Sequence, residues 1–226
     1  EHVVTPPYDI ISEAEQKQYY EKHPNNVIRL EYGAEYETVS EHDNRYTRAA
    51  AFLRSWIDDG VLKFEDKACL YLYEQKFSYL GQELTYRGFV TLTQLEEFSK
   101  GVILPHEETL SKAKTDRFNL MLATHENFSL IYCLYMDEAG EIRSIMEQIT
   151  KNPADISFSS EDGIVQNLWI VRDDAVIASI QTGFADKQLF IADGHHRYET
   201  ALNFRNRMRE ENPDWSENDL FNYVMM

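Results

Sequence analysis

Residues 190–202, FIADGHHRYETAL, set two histidines and an arginine directly after a glycine, where the pattern predicts a helix to begin. The positive end of a helix dipole favours carboxylates, and a cation held there costs roughly 0.3 to 1 kcal/mol. Cations in that place therefore point to an anion that joins them. A buried strand running through glycine into a helix is a general way to bring free backbone N–H groups to a phosphate. Gly194 has no side chain to hold an anion away, the N–H groups of His195, His196 and Arg197 emerge together, and Arg can grip two phosphate oxygens at once. Asp193 borders the same turn. The expected ligand is a phosphate, as a nucleotide carries it. Two other readings fit these residues. In one, Asp193 caps the helix, the histidines stay neutral and Arg197 pairs with Asp193 or Glu199. In the other, Asp193, His195, His196 and Glu199 supply metal ligands, with His195 and Glu199 one turn apart. No second cluster has the spacing of a familiar metal site, so no dedicated metal is expected.

A second block, VILPHEETLSKAKTDR at 102–117, holds His106, Glu107, Glu108 and Thr109 after Pro105, then Lys112, Lys114, Asp116 and Arg117. Phosphoryl transfer needs cations for the developing phosphate charge and a carboxylate or imidazole to orient the nucleophile. If this block lies beside Gly194, Lys114 and Arg117 clamp phosphate, and His106 or Glu107 serves as base or as contact to a metal-bound water. With His196 they make up the candidate catalytic set. The plainer reading is a solvated helix start with interspersed charges. Near the N-terminus, PPYDII stiffens the chain at Pro6 and Pro7 and either turns Tyr8 and Asp9 toward a pocket or forms a structural turn. Asn26 and Arg29 are further pocket candidates.

The elements that must position these residues follow from periodicity. Ser12 and Glu15 form a capping box that opens a short helix ending before Pro24. NVIRLEY reads as a strand. From about Glu41 to Asp59, Tyr46, Ala49, Ala50, Leu53, Trp56 and Ile57 recur at helical spacing and face a core, and Gly60 ends the helix. ACLYLYEQKFSYL and ELTYRGFVTLT form an aromatic hairpin around Gly81 and Gln82. Past the second block, Phe118, Met121, Leu122 and His125 share one helical face. FSLIYCLYM reads as a buried strand, GEIRSIMEQIT as a helix, GIVQNLWIV as a strand, DDAVIASIQTGF as a helix, KQLFIAD as a strand, and GHHRYETALNFRNRMREEN as a long helix closed by Pro213. This alternation predicts a mixed α/β (α+β) fold. Residues 1–226 read as one region with a subdivision near 100–104.

Composition bounds the partners. The 226 residues are 43% hydrophobic and 13% aromatic, enough for a substantial core, and carry a net charge of -17 from 39 acidic and 22 basic residues. Nonspecific nucleic-acid binding and an anionic membrane surface are both disfavoured by that field. Cys69 and Cys133 sit in apolar strand-like runs and read as buried thiols rather than a disulfide. No segment is long and apolar enough to span a membrane and the start lacks a signal-peptide pattern, so the cytoplasm is expected. The chain lacks an initiating Met and ends on the apolar YVMM, as a piece of a longer protein would.

Taken together, PPYDII, LPHEETLSKAKTDR and IADGHHRYETAL resemble, in content and order, the bacterial family known as domain of unknown function 1015. The blocks cover nearly the whole chain, and members of that family extend further on the C-terminal side. In its strand-Gly-helix block the family is similar to the ParB and sulfiredoxin superfamily, where the segment reads approximately AGERRWRAA in CTP-binding partition proteins and GGCHRYAAY in sulfiredoxins. The resemblance implies a ParB/sulfiredoxin-like core with additional N-terminal α/β elements and the aromatic hairpin. It implies nucleotide phosphates at the helix start, matched here by Gly194, His195, His196, Arg197 and Tyr198. His195 stands where sulfiredoxins carry their reactive cysteine, so sulfinic-acid repair is not implied. The acidic charge and lack of an obvious helix-turn-helix set the chain apart from DNA partitioning. Free-serine kinases in the superfamily imply phosphoryl transfer to small molecules.

The expected function is therefore binding of a nucleotide (CTP, ATP or ADP), with Mg²⁺ arriving with it, and kinase or nucleotide-hydrolase activity on an unknown small molecule. One alternative is a non-catalytic regulator that senses a nucleotide or another anion. A second is a metal-dependent hydrolase built on His195, His196 and His106. The oligomeric state is left open.

Overall fold

The computed structural model describes residues 2–107, 111–160 and 162–226, with the side chains of 111–114 outside that description. Helix α1 (Glu13–Lys22) opens on the expected capping box: Glu15 N–H donates to Ser12 Oγ at 3.3 Å, and Ser12 N–H donates to Glu15 Oε2 at 2.8 Å. NVIRLEY is not a strand; it forms the short helix α2 (Ile28–Glu31). The cause is local: the buried Asn26 side chain accepts the Ile28 N–H at 2.9 Å and donates to His2 O at 2.9 Å, which bends the chain into a turn. Ile28 and Leu30 are both buried, so burial with strand-like alternation had a helical origin. Helix α3 (Arg45–Asp58) starts on a second capping box, Asn44 with Thr47, and buries Ala49 and Trp56.

Strands β1 (Leu70–Tyr79) and β2 (Gln82–Val90) pair antiparallel, from Tyr79 opposite Gln82 to Tyr71 opposite Val90. Their turn is Leu80 and Gly81, one residue earlier than expected, with φ of 50° and 78°. Two-residue hairpins of this kind match the strand twist when both central residues take positive φ. β3 (Leu92–Gln94) and β4 (Ile103–Leu104) follow. Next come α4 (Ser111–Thr124), β5 (Tyr132–Leu134), α5 (Glu141–Ile149), β6 (Ile156–Ser159), β7 (Val165–Val171), α6 (Asp174–Phe184), β8 (Leu189–Asp193), α7 (His195–Glu211) and β9 (Tyr223–Met225). The protein is thus a mixed α/β fold.

One antiparallel sheet has the order β2-β1-β7-β6, and α5 and α6 pack on it through Leu72, Ile142, Met146, Trp169 and Ile180. A second sheet has the order β4-β8-β5, with β4 parallel and β5 antiparallel to the central β8. Helices α4 and α7 close its inner side around Ile103, Met121, Ile191, Tyr198 and Phe204. β3 pairs with β9. Both cores draw segments from each side of residues 100–104.

FSLIYCLYM is less buried than expected. β5 lies at a sheet edge with a register shift between Tyr132 and Cys133, so Tyr132 and Leu134 are 39% and 51% exposed while Ile131 is buried. In α4, Met121 packs inward beside Leu120, but Leu122 is exposed. His125 lies past the end of α4 at φ 59°, with its ring against Phe204. The two cysteines are free and half-buried, and burial pushes the Cys133 thiol up to about 11. Among the described residues no helix is long and apolar enough to cross a membrane.

Tyr198 locks α7 in place. It is fully buried, stacks on Phe98 at 5.2 Å, donates to Glu96 O at 2.7 Å and accepts from Glu96 N–H at 2.9 Å. Tyr198→Phe leaves both backbone groups unpaired and should lower unfolding free energy by about 1–3 kcal/mol, read from the urea midpoint.

Candidate functional site

The centre of the site is the passage from β8 to α7. Gly194 takes φ 91° and ψ 26° as the N-cap of α7, and no side chain caps the helix there. That left-handed conformation turns the chain out of the sheet and straight into a helix, which a residue with a Cβ does only under strain. Arg197 folds back over the turn and pairs with Asp193, its guanidinium lying where a Cβ on Gly194 would stand 2.8 Å from Nε. The helix start therefore lacks a side-chain cap, and its arginine carries its own carboxylate. Asp193 is largely exposed; the Arg197 side chain is mostly covered.

His195 points inward and is 2% exposed. Its Nε2 accepts the His106 backbone N–H at 3.3 Å, so the proton is on Nδ1, 3.1 Å from Glu107 Oε1. Burial holds the imidazole below its usual pKa, with His106 and His196 acting in the same direction and Glu107 opposing them. The His106 ring stands edge-on to His195 at 4.4 Å. His106 Nδ1–H donates to the carbonyl of Ile191 at 2.8 Å, which leaves Nε2 as the nitrogen with a lone pair. His106 and Glu107 are exposed, and His196 is half-buried in the first turn of α7. The second block and the helix start thus meet as expected. One donor atom from each of His106, Glu107 and His195 lies within 4.8 Å of the others; a metal reading of the sequence alone had gathered His195, His196 and His106.

The same block continues into a buried charge node. Arg117, 7% exposed, bonds Asp116 through Nε at 2.8 Å and Nη2 at 2.5 Å, donates to Glu31 O at 2.8 Å and stacks over Tyr8 at 3.8 Å. Asp116 also accepts from Tyr46 Oη at 2.8 Å and pairs with Arg45. Burial would raise the Asp116 carboxyl, but Arg117, Tyr46 and Arg45 outweigh it and hold it low. Burial raises the Glu31 carboxyl despite Arg117. Arg117, expected as a phosphate clamp, is thus committed to internal partners. Tyr8 ties the N-terminal block to it, and Arg197 is close enough to bias the ionisation of Tyr8 and Glu31. Between Arg117 and Arg197 lies a cleft of about 30 Å³, bordered also by Glu31, Glu126 and Thr200, room for one or two waters.

Other candidates have different places. The Lys114 side chain, Glu108 and Thr109 lie outside the described residues. Asp9 is exposed beside Tyr8. Asn26 is structural, and Arg29 donates to Pro24 O and Tyr20 O, each at 2.7 Å. Sequence reasoning missed Glu31, Arg45 and Tyr46, whose roles rest on contacts 70 or more residues away in the chain. A larger open concavity of about 680 Å³ between α5 and α6 is lined by small residues such as Gly140, Ser144 and Gly183, with Glu141 as its ionisable group.

Fold and site together define a mixed α/β protein with three sequence blocks gathered at one helix start. The chain matches over residues 1–226 the family described as "Protein of unknown function (DUF1015)", and it belongs to that family. No curated protein and no solved structure matches it.

Asp116→Asn should leave the buried Arg117 and its neighbour Arg45 without their shared anion and cost about 3 kcal/mol in urea unfolding, with the far-UV spectrum unchanged. Gly194→Ala should cost about 1–2 kcal/mol, from the left-handed backbone alone; the Arg197 head is mobile enough to yield to the new methyl.

Proposed function

We propose that the protein binds a nucleotide, CTP, ATP or ADP, by its phosphates at the start of α7. Mg²⁺ comes with the nucleotide, and phosphoryl transfer to a small molecule or nucleotide hydrolysis follows. The observation that carries this reading is convergence: Tyr8 and Arg117, His106 and Glu107, and Gly194 to Arg197 meet around one glycine-lined helix start. The likeness of that strand-Gly-helix passage to ParB and sulfiredoxin segments supports the same ligand.

Each residue has a physical task here. The first-turn N–H groups of α7 and the helix dipole attract phosphate oxygens. Arg197 exchanges the Asp193 carboxylate for phosphate, which demands the fork geometry of a guanidinium. Asp193, released and exposed, would be available to help hold the Mg²⁺ that accompanies the nucleotide. His106 offers Nε2 as general base, because the Ile191 carbonyl fixes its tautomer. Arg117 acts through Tyr8 and Asp116 rather than on the ligand, and Lys114, one turn earlier on α4, remains a phosphate contact in this reading. His196 stands in the first turn as a further donor.

The Asp193–Arg197 pair also favours a second reading, a sensor that opens on binding and catalyses nothing. Turnover separates the two: a sensor binds nucleotide and releases no phosphate or phosphorylated product.

The binding test is a thermal-shift series with CTP, ATP, ADP and GTP, with and without Mg²⁺, on the wild type and Arg197→Ala. A ligand at a hundredfold over its dissociation constant adds about 2.7 kcal/mol of apparent stability. The expected result is a stabilising nucleotide whose effect Arg197→Ala abolishes. If none of the four shifts the wild type, the proposal fails.

A further inference from the structure

We propose that His106, Glu107 and His195 form a resident site for a first-row divalent metal ion of the zinc type, separate from the Mg²⁺ that a nucleotide brings. The three residues come from two elements far apart in the chain, yet one donor atom of each lies within 4.8 Å of the others. His195 Nδ1 and Glu107 Oε1 stand 3.1 Å apart, a separation that two ligands about 2.1 Å from a shared ion can span. Two imidazoles and a carboxylate suit zinc, cobalt, manganese or iron(II), whereas Mg²⁺ selects oxygen and water.

One of the two imidazoles has the hydrogen-bonded support of a metal ligand, and the other is held by packing. A ligating imidazole needs its other nitrogen bonded so that the ring cannot swing. His106 has this: Nδ1–H is bound to the carbonyl of Ile191, a buried residue of the central strand. His195 is fixed by burial in the first turn of α7. Glu107, with its side chain 51% exposed, gives the ion a path from solvent. Ligation by His195 Nδ1 moves the ring proton from Nδ1 to Nε2. The ring stays neutral, so this step neither takes up nor releases a proton. The contact that opens is the His106 N–H to Nε2 bond, already long at 3.3 Å. Three protein ligands leave a position for water or for an oxygen of a bound phosphate, so such an ion would activate a water or polarise a phosphoryl group, and its bound water would take over the base role that His106 Nε2 has only while the site is empty.

The site does not depend on nucleotide binding, and the experiment keeps the two apart. Tag-free protein, stripped of metal by chelation, is titrated with Co²⁺ and then with Zn²⁺, following visible d–d absorption and heat of binding. The wild type should take up one equivalent of Co²⁺ with a visible band that Zn²⁺ removes. His106→Ala and Glu107→Gln, both at exposed positions, should each weaken Co²⁺ binding at least about tenfold, while Arg197→Ala should bind it as the wild type does. Circular dichroism of the metal-free variants checks their fold, and either variant alone carries the test. Absence of stoichiometric Co²⁺ binding in the wild type, or unchanged binding in a folded His106→Ala or Glu107→Gln, overturns the site. Loss of the nucleotide shift with Co²⁺ binding intact counts against the nucleotide reading alone.

Discussion

The site depends on one backbone constraint, the left-handed turn at Gly194 that converts the central strand β8 into α7 without an intervening loop. Because the turn occupies a single residue, the next residues have no freedom in direction. His195 must enter the core side, where it meets His106 and Glu107. Arg197, on the outer side, folds back across the glycine to reach Asp193. Helix α7 is held in this pose from its far side by Tyr198 and by Arg205, which donates to Leu95 O at 2.8 Å. The strand and the helix thus set Asp193, His195, His196 and Arg197 without an intervening loop, while His106 and Glu107 come from the segment between β4 and α4.

Electrostatics decide what such a helix start can accept. In a chain of net charge -17, Arg45, Arg117 and Arg197 lie close to Asp116, Glu31 and Asp193, and each bears a carboxylate partner. Arg45 and Arg117 are tied by a shared, mostly covered aspartate, so releasing either would leave buried charge uncompensated. Arg197 differs because its partner Asp193 is exposed and regains water when released. With one partner in water, this pair is held less firmly than a pair buried on both sides. On the proposed function an arriving phosphate would exchange with that carboxylate, while Arg45 and Arg117, both tied to Asp116, would keep the surrounding frame.

Local signals read correctly where a few neighbouring residues settle the conformation. The Ser12 capping box, the aromatic hairpin (its turn one residue earlier than expected) and the helix after Gly194 all follow from side chains within a few positions of one another. NVIRLEY failed for the same reason in reverse: Asn26 anchors to the carbonyl of His2, 24 residues away, and the resulting turn starts a helix where alternation suggests a strand. FSLIYCLYM failed because its apolar content says nothing about whether a strand has one neighbour or two, and among the described residues β5 pairs with β8 alone.

By itself the sequence determined the mixed α/β class, the strand-Gly-helix passage and the residue types able to meet a phosphate, since these are encoded by periodicity and by what glycine alone permits. Only the tertiary structure decided which of those residues face outward. It buried Arg117 under Tyr8, closed Arg197 onto Asp193, and set Glu107 and His106 against His195. The physical reason is that a charged side chain takes whichever partner restores most of its lost hydration, and the available partners are fixed by long-range packing that no local pattern of residues specifies.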